Sequence, residues 1–374
     1  MSRGGLRRFV AGLALGLAAI VVWAFAAEAI FRLTNIDVAT RFRVSQVFFD
    51  PGHPNVRAEM GYVPFSTVRS TYSSNPRGYF DADNSIDHVH NSVGWRDVEH
   101  TLAKPPGTYR ILGLGDSYLW GQGVRREDIC LTRLGGMLQK HAPPGLRIET
   151  INSGQNAFNT VDERNSLRAR GLLYAPDLVI VHFVPNDVEP DVLQRGPKVD
   201  LFVDYLAAYM RPDWLTQRSR LWAWTKQRCL RAMNSKAYLE QSLASFQEHD
   251  EKWTQCRDAL IDIQEICRQA GAQLVVVIFP FFIDLDGDYP FQPIHDRVKE
   301  LGRERGIPVL DLREAYRDYR GPELWVHPTD EHPNEIAHGL AAKAMAEFLL
   351  AHAQELDLYH PRPSTPATVA GNRP

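Results

Sequence analysis

The sequence predicts a three-layer α/β/α sandwich built on a five-stranded parallel sheet, with an N-terminal transmembrane helix ahead of it. Three observations carry this prediction. From about residue 107 to 354, apolar β-rich runs of strand length alternate with helix-length amphipathic segments, and strands apolar throughout are those buried on both faces of a parallel sheet. Before them lies an uncharged run from Phe9 to Ala27, which at about 1.5 Å per residue matches a bilayer core of about 30 Å. The composition, 44% hydrophobic and 10% aromatic, is that of a folded chain.

The apolar run in residues 1–32 follows Arg3, Arg7 and Arg8 and reads as a single membrane span. Cleavage as a signal peptide at Ala24-Phe25-Ala26 is the competing reading, although the run exceeds the roughly 7–15 residues of a signal's apolar region. Arg32, Arg41 and Arg43 nearly balance the arginines ahead of the span, so charge alone does not orient it. A short basic N-terminus has the form of an export signal. The expectation is therefore a single-pass protein of the inner membrane with its catalytic domain in the periplasm or outside the cell.

Residues 33–106 are rich in Pro, Gly, Asn, Asp and Ser and hold neither a helical nor a strand period, which predicts an irregular stalk and cap. The catalytic domain follows over 107–354. Its strands are expected at residues 109–114, 147–151, 177–183, 273–279 and 308–312, and its helices at 127–140, 161–173, 252–270, 293–305 and 334–352. Residues 189–250 interrupt the alternation with a Trp-, Leu- and Arg-bearing helical stretch at 219–233, an insertion near the site that can serve as a lid. The tail, 355–374, is rich in Pro, Ser and Thr and is expected to be disordered.

Composition also narrows the chemistry. A formal net charge of -3 offers no basic excess for nucleic acid. Cys130, Cys229, Cys256 and Cys267 form no CxxC pair and no Cys/His ligand spacing, so neither a metal nor another cofactor is expected; outside the cytoplasm some of these thiols can pair. Asp284-Leu285-Asp286-Gly287-Asp288 starts like a calcium loop, but Tyr289 and His295 stand where its glycine and final glutamate belong.

Gly115-Asp116-Ser117 follows the first sheet strand and would present a hydroxyl at the carboxyl edge, where such sheets bind ligands. A serine there often serves only as a helix cap. Chain order adds weight, because Asn152-Ser153-Gly154 follows the second strand and Pro185-Asn186-Asp187 the third. The N–H groups of Ser117 and Gly154 and the Asn186 amide could together stabilise an oxyanion. After the fifth strand comes Trp325-Val326-His327-Pro328-Thr329-Asp330-Glu331-His332-Pro333-Asn334, a loop in which His332 is the candidate base and Asp330 its orienting carboxylate. His327 is the alternative base, and Asp187 is expected to fix its own loop by local hydrogen bonds. Tyr118, Trp120, Phe158, Phe183 and Phe281 are candidates to line an acyl or sugar pocket, or else to pack the core.

With these residues collected, the chain resembles the SGNH/GDSL hydrolase superfamily. The GDS motif, Gly154, Asn186 and the His332-Pro333-Asn334 block occur in family order, and Asn91-Ser92-Val93-Gly94-Trp95-Arg96-Asp97 looks like an exported bacterial subgroup. Three positions depart from the pattern: Val184 and Ala157 stand where glycines are common, and Thr329 where the family usually has the triad Asp. A D-x-H spacing resembles that of polysaccharide O-acetyltransferases within the superfamily. The resemblance implies a serine esterase of short O-acyl groups on envelope or exported glycans, or an O-acetyltransferase using the same residues. A lipid acyl hydrolase and a non-catalytic glycan-assembly factor are further readings.

Overall fold

The computed structural model describes residues 3–34, 62, 64–72, 74–189, 214–285, 287–328 and 330–362. Part of the expected stalk (35–61), the front of the insertion (190–213), Asp286, Thr329 and the tail from 363 lie outside the described residues. The chain divides into two compact units, one of Met1–Phe42, Tyr72–Ser74 and Val199–Ala237, the other of Arg43–Thr71, Asn75–Lys198 and Tyr238–Pro374.

In the first unit, helix α1 (Arg3–Leu33) is long and apolar enough over Arg7–Leu33 to cross a membrane, and its apolar window is not buried by protein. This unit also holds α5 (Trp214–Arg218) and the start of α6 (Arg220–Ser245).

The second unit holds the sheet. Its strands are β3 (Thr108–Gly115), β4 (Arg147–Asn152), β5 (Leu178–Phe183), β6 (Gln273–Ile278) and β7 (Val309–Asp311), all parallel, in the spatial order β4-β3-β5-β6-β7. Every residue of β3 and β5 is buried, as their apolar runs predict. Helices α3 (Cys130–Gln139), α4 (Thr160–Ala169), α7 (Glu251–Ala270), α8 (Gln292–Arg305) and α9 (Glu335–Ala351) connect or follow these strands. The chain leaves β3 for β4 on one side and later returns to pair β5 on the other. That reversal puts a topological switch point beside β3, where open α/β sheets bind ligands.

Two expected helices come out shorter. Residues 161–173 split into α4 and a separate turn, Gly171–Tyr174, and the start of 127–140 is the turn Arg126–Asp128. Ala175, in the left-handed conformation at φ 48°, closes the first of these turns.

The expected irregular cap contains an antiparallel hairpin of β1 (Thr67–Thr71) and β2 (Ser85–Val89). Its side chains alternate in and out, but the inward positions include Ser70 and His88. Polar residues on the buried face erase the period-2 hydrophobic signal, so sequence reading passes over it. Ser70 Oγ lies 3.1 Å from His88 Nε2 and accepts from Gln122 Nε2 at 3.2 Å, while His88 Nδ1 is buried with no hydrogen-bond partner among the described residues. On the outer face Arg69 makes a two-pronged pair with Asp87, directly opposite in register, at 2.7 and 2.8 Å.

The start of the tail also departs from expectation. Leu356 and Leu358 are buried, Tyr359 donates to the Leu138 carbonyl at 3.1 Å, and the Arg362 N–H donates to Asp177 Oδ1 at 2.8 Å. Two leucines in a polar stretch suffice to anchor these residues. All four cysteines are free; Cys130, Cys256 and Cys267 are buried and Cys229 is exposed.

Candidate active site

Ser117 opens a single-turn helix, α2 (Ser117–Trp120), immediately after β3. Asp116 caps this turn, accepting the Tyr118 N–H on Oδ1 at 2.8 Å. The turn folds back tightly because Gly115 has no side chain: a Cβ there would lie 2.7 Å from Leu119 Cβ. At its other end Arg96, fully buried, donates to the carbonyls of Trp120, Gly121 and Val124, with its guanidinium 5.1 Å from the Trp120 ring centroid. Trp120 Nε1 donates to His90 Nε2 at 3.2 Å, and Tyr62 stacks on both rings. Sequence reading missed Arg96 as a clamp on the serine-bearing turn. Its signal was present in the segment Asn91–Asp97, which carried resemblance without an assigned task.

His332 arrives from the far end of the chain. The expected loop is a two-stranded antiparallel ribbon of β8 (Trp325–His327) and β9 (Asp330–Pro333). In an extended strand, residues two apart face the same way. The spacing of two between Asp330 and His332 therefore suits a strand, as three would suit a turn. His332 Nδ1 lies 2.5 Å from Asp330 Oδ1, and His332 Nε2 lies 2.9 Å from Ser117 Oγ. Asp330 Oδ1 also accepts the His332 backbone N–H at 3.2 Å. The side chain of Asp330 is 6% exposed and that of His332 32%, so the carboxylate is shielded while the ring stays open to a ligand.

Asn334 holds this ribbon against α9. Its Oδ1 caps the helix by accepting the N–H groups of Ile336 and Ala337, both at 3.0 Å, and its Nδ2 donates to the Glu323 and Trp325 carbonyls. His327, the alternative base, is fully buried within β8.

Burial alone would lower the His332 pKa, but the charge and hydrogen bond of Asp330, helped by Asp116 and Glu331, outweigh it and leave the ring above its ordinary value. Nearby, burial lifts the carboxyls of Asp187 and Glu163 well above the carboxylate range, with the Asp116 charge adding to both and Glu163 pushing Asp187 further. Asp187 Oδ2 accepts the Val184 N–H at 3.3 Å and the Thr160 hydroxyl at 3.4 Å, which ties the Asn186 loop to α4.

The three expected oxyanion donors fare differently. Among the described residues, the Ser117 N–H has no acceptor. Asn186 Nδ2 gives one hydrogen to Asp116 Oδ2 at 3.2 Å, which orients the amide and leaves its second hydrogen available. Gly154 departs from the expectation: its N–H is taken by Asn152 Oδ1 at 2.9 Å. What glycine supplies here is room, since a Cβ would lie 2.7 Å from Trp120 N and 2.9 Å from the Leu119 carbonyl carbon. Gly154→Ala is accordingly expected to push on the α2 backbone and cost about 1–3 kcal/mol in denaturant unfolding, with activity falling too. In the same loop Ala157 adopts φ 65°, a conformation that favours glycine, and its N–H has no acceptor among the described residues.

Of the aromatic candidates, Trp120, Phe158 and Phe183 are core residues. Tyr118 packs edge-on to His332, with centroids 5.6 Å apart, and against Phe279 and Phe282. Phe281 is half-buried beside Tyr238, whose hydroxyl donates to Glu189 at 3.3 Å.

A model of the GDSL-like Lipase/Acylhydrolase family matches residues 114–340, more than half of the chain. No curated protein matches it. Similar solved structures include a psychrotrophic esterase from Pseudoalteromonas sp. (14% identity, covering 66% of this chain and 98% of that one, TM-score 0.39). The lipase/acylhydrolase from Enterococcus faecalis is similar over 69% of this chain and 99% of its own, at 14% identity and a TM-score of 0.39. A catalytic mutant of an acetylxylan esterase from Geobacillus stearothermophilus is similar over 64% of this chain and 94% of its own, at 15% identity and a TM-score of 0.40.

Proposed function

The chain belongs to the GDSL-like lipase/acylhydrolase family and is an ester-bond hydrolase, and from that premise we propose that it is a membrane-tethered serine esterase that removes short O-acyl groups, acetyl foremost, from cell-envelope or exported glycans. The observation that carries the proposal is the continuous run of hydrogen bonds from Asp330 through His332 to Ser117.

Ser117 Oγ attacks the ester carbonyl carbon as its proton passes to His332 Nε2, and Asp330 holds the ring and stabilises the imidazolium. The carbonyl oxygen takes up the electron pair and is held by the Ser117 N–H and the second hydrogen of Asn186 Nδ2. Collapse breaks the C–O bond, and His332 returns the proton to the departing sugar oxygen. Water, deprotonated by His332, then attacks the acyl-enzyme to release the acid and restore Ser117.

The second reading, an O-acetyltransferase, draws on the same residues with a sugar hydroxyl replacing water. The D-x-H arrangement favours it, and water exclusion decides between the two. Helix α1 serves in either case as a single-pass anchor in the inner membrane, with the catalytic domain on the periplasmic side.

Purified protein is expected to release acetate from acetylated xylan oligosaccharides and p-nitrophenol from its acetate ester. Acetyl appearing on an added oligosaccharide instead of free acetate selects the transferase. An intact, folded enzyme that neither turns over these esters nor reacts with a fluorophosphonate would leave only a non-catalytic glycan-assembly role. Because His332 must be neutral to accept the proton, kcat/KM should rise with pH through a single ionisation above the ordinary histidine value. A pH profile of p-nitrophenyl acetate hydrolysis measures this, and a midpoint below that value would contradict the ring's pairing with Asp330.

A further inference from the structure

Residues 214–237 contain Arg218, Arg220, Lys226, Arg228, Arg231 and Lys236 and no Asp or Glu. The described part of this segment, α5 and the first turns of α6, also exposes large apolar side chains: Trp214 is 64% exposed, Trp222 43% and Leu215 40%. Arg218 lies over the Trp214 ring at 4.7 Å and Arg228 over the Trp224 ring at 4.9 Å, so each of these indoles carries a cation on its face.

The same segment is tied to the end of α1. Glu28, the first charged residue after the apolar run, accepts the Arg220 and Leu221 N–H groups at 3.1 and 2.9 Å and the Ser219 hydroxyl at 2.9 Å. Arg32 braces Glu28 at 2.7 Å and donates to the Arg218 carbonyl at 2.6 Å, while Phe31 meets Trp224 edge-on at 5.4 Å. The start of α6 is therefore held within about one helical turn of the point where α1 leaves the hydrocarbon. At that depth a bilayer presents headgroups, where indole rings partition favourably and basic side chains meet lipid phosphates.

We propose that α5 and the start of α6 form a membrane-surface docking element that lies on anionic phospholipid headgroups beside the exit of α1. The proposal rests on α1 being kept as a span and is independent of which ester is cleaved. Charge complementarity and continuity with the span select lipid as the occupant. Trp222 and Cys229, seven residues apart on α6, share one face of the helix, so the single exposed cysteine reports directly on this surface.

Full-length protein is labelled at Cys229 with an environment-sensitive fluorophore and reconstituted in phosphatidylcholine vesicles with and without phosphatidylglycerol. The expected result is blue-shifted emission and shielding from aqueous iodide in the vesicles containing phosphatidylglycerol, and neither in detergent. Lys226→Glu with Arg228→Glu should restore iodide access while the chain still floats with the vesicles; two lost cationic contacts correspond to roughly a 25-fold loss of surface partitioning at about fivefold each. The neutral pair Lys226→Gln with Arg228→Gln should fall between and guards against misfolding. A label equally open to iodide in both vesicle types, on protein that floats, overturns the docking. Shielding already present in detergent assigns the face to protein packing and overturns it as well. Protein that fails to float removes the span and the proposal together, while ester hydrolysis, assayed in parallel, scores the esterase reading separately.

Discussion

Ser117→Ala is expected to lower kcat for p-nitrophenyl acetate by on the order of 10⁴ to 10⁶, with the fold and unfolding midpoint unchanged. The hydroxyl is half-buried, 2.9 Å from a ring that has its own partner and 3.4 Å from Asp116 Oδ2, which still accepts from Asn186, so its removal strands no buried group. The loss therefore reads on chemistry alone. The same variant should fail to take up a fluorophosphonate that labels the wild-type enzyme. Substantial turnover by Ser117→Ala would place the nucleophile elsewhere and dismantle the acyl-enzyme route.

Asp330→Asn is expected to lower kcat by about 10⁴, because an amide cannot hold the imidazolium and can present its N–H to Nδ1, trapping the wrong tautomer. It should also move the rising limb of the pH profile to lower pH, since the Asp330 charge is what lifts His332 above its ordinary value against the pull of burial. Glu331→Gln is the control. Glu331 adds only the smallest push, and its removal should leave kcat within a few-fold. Comparable losses in the two variants would argue that the strand geometry of β9 does not select Asp330.

Much of this site can be read along the chain, and the reasons are physical. The central strands are apolar on both faces, and the residues that follow each of them must fall at one sheet edge. Ser117 and Asn186 follow from that order alone. The cap hairpin could not be read this way, since the inward Ser70 and His88 meet one another inside the protein and leave no hydrophobic alternation. Arg96 was hidden for a similar reason: a buried arginine is made tolerable only by three carbonyls from a segment more than twenty residues away.

What the sequence determined by itself was therefore the parallel sheet, the order of the motifs along it, and an apolar N-terminal helix of membrane-spanning length, all consequences of local periodicity and chain order. The tertiary structure decided the rest. It turned the loop around Asp330 and His332 into a strand, which makes an unusual spacing of two put carboxylate and imidazole on the same side. It also gave the Gly154 N–H to Asn152, so that this glycine makes room for α2. Neither outcome is written in spacing, because each depends on which backbone groups are already paired once distant segments have packed.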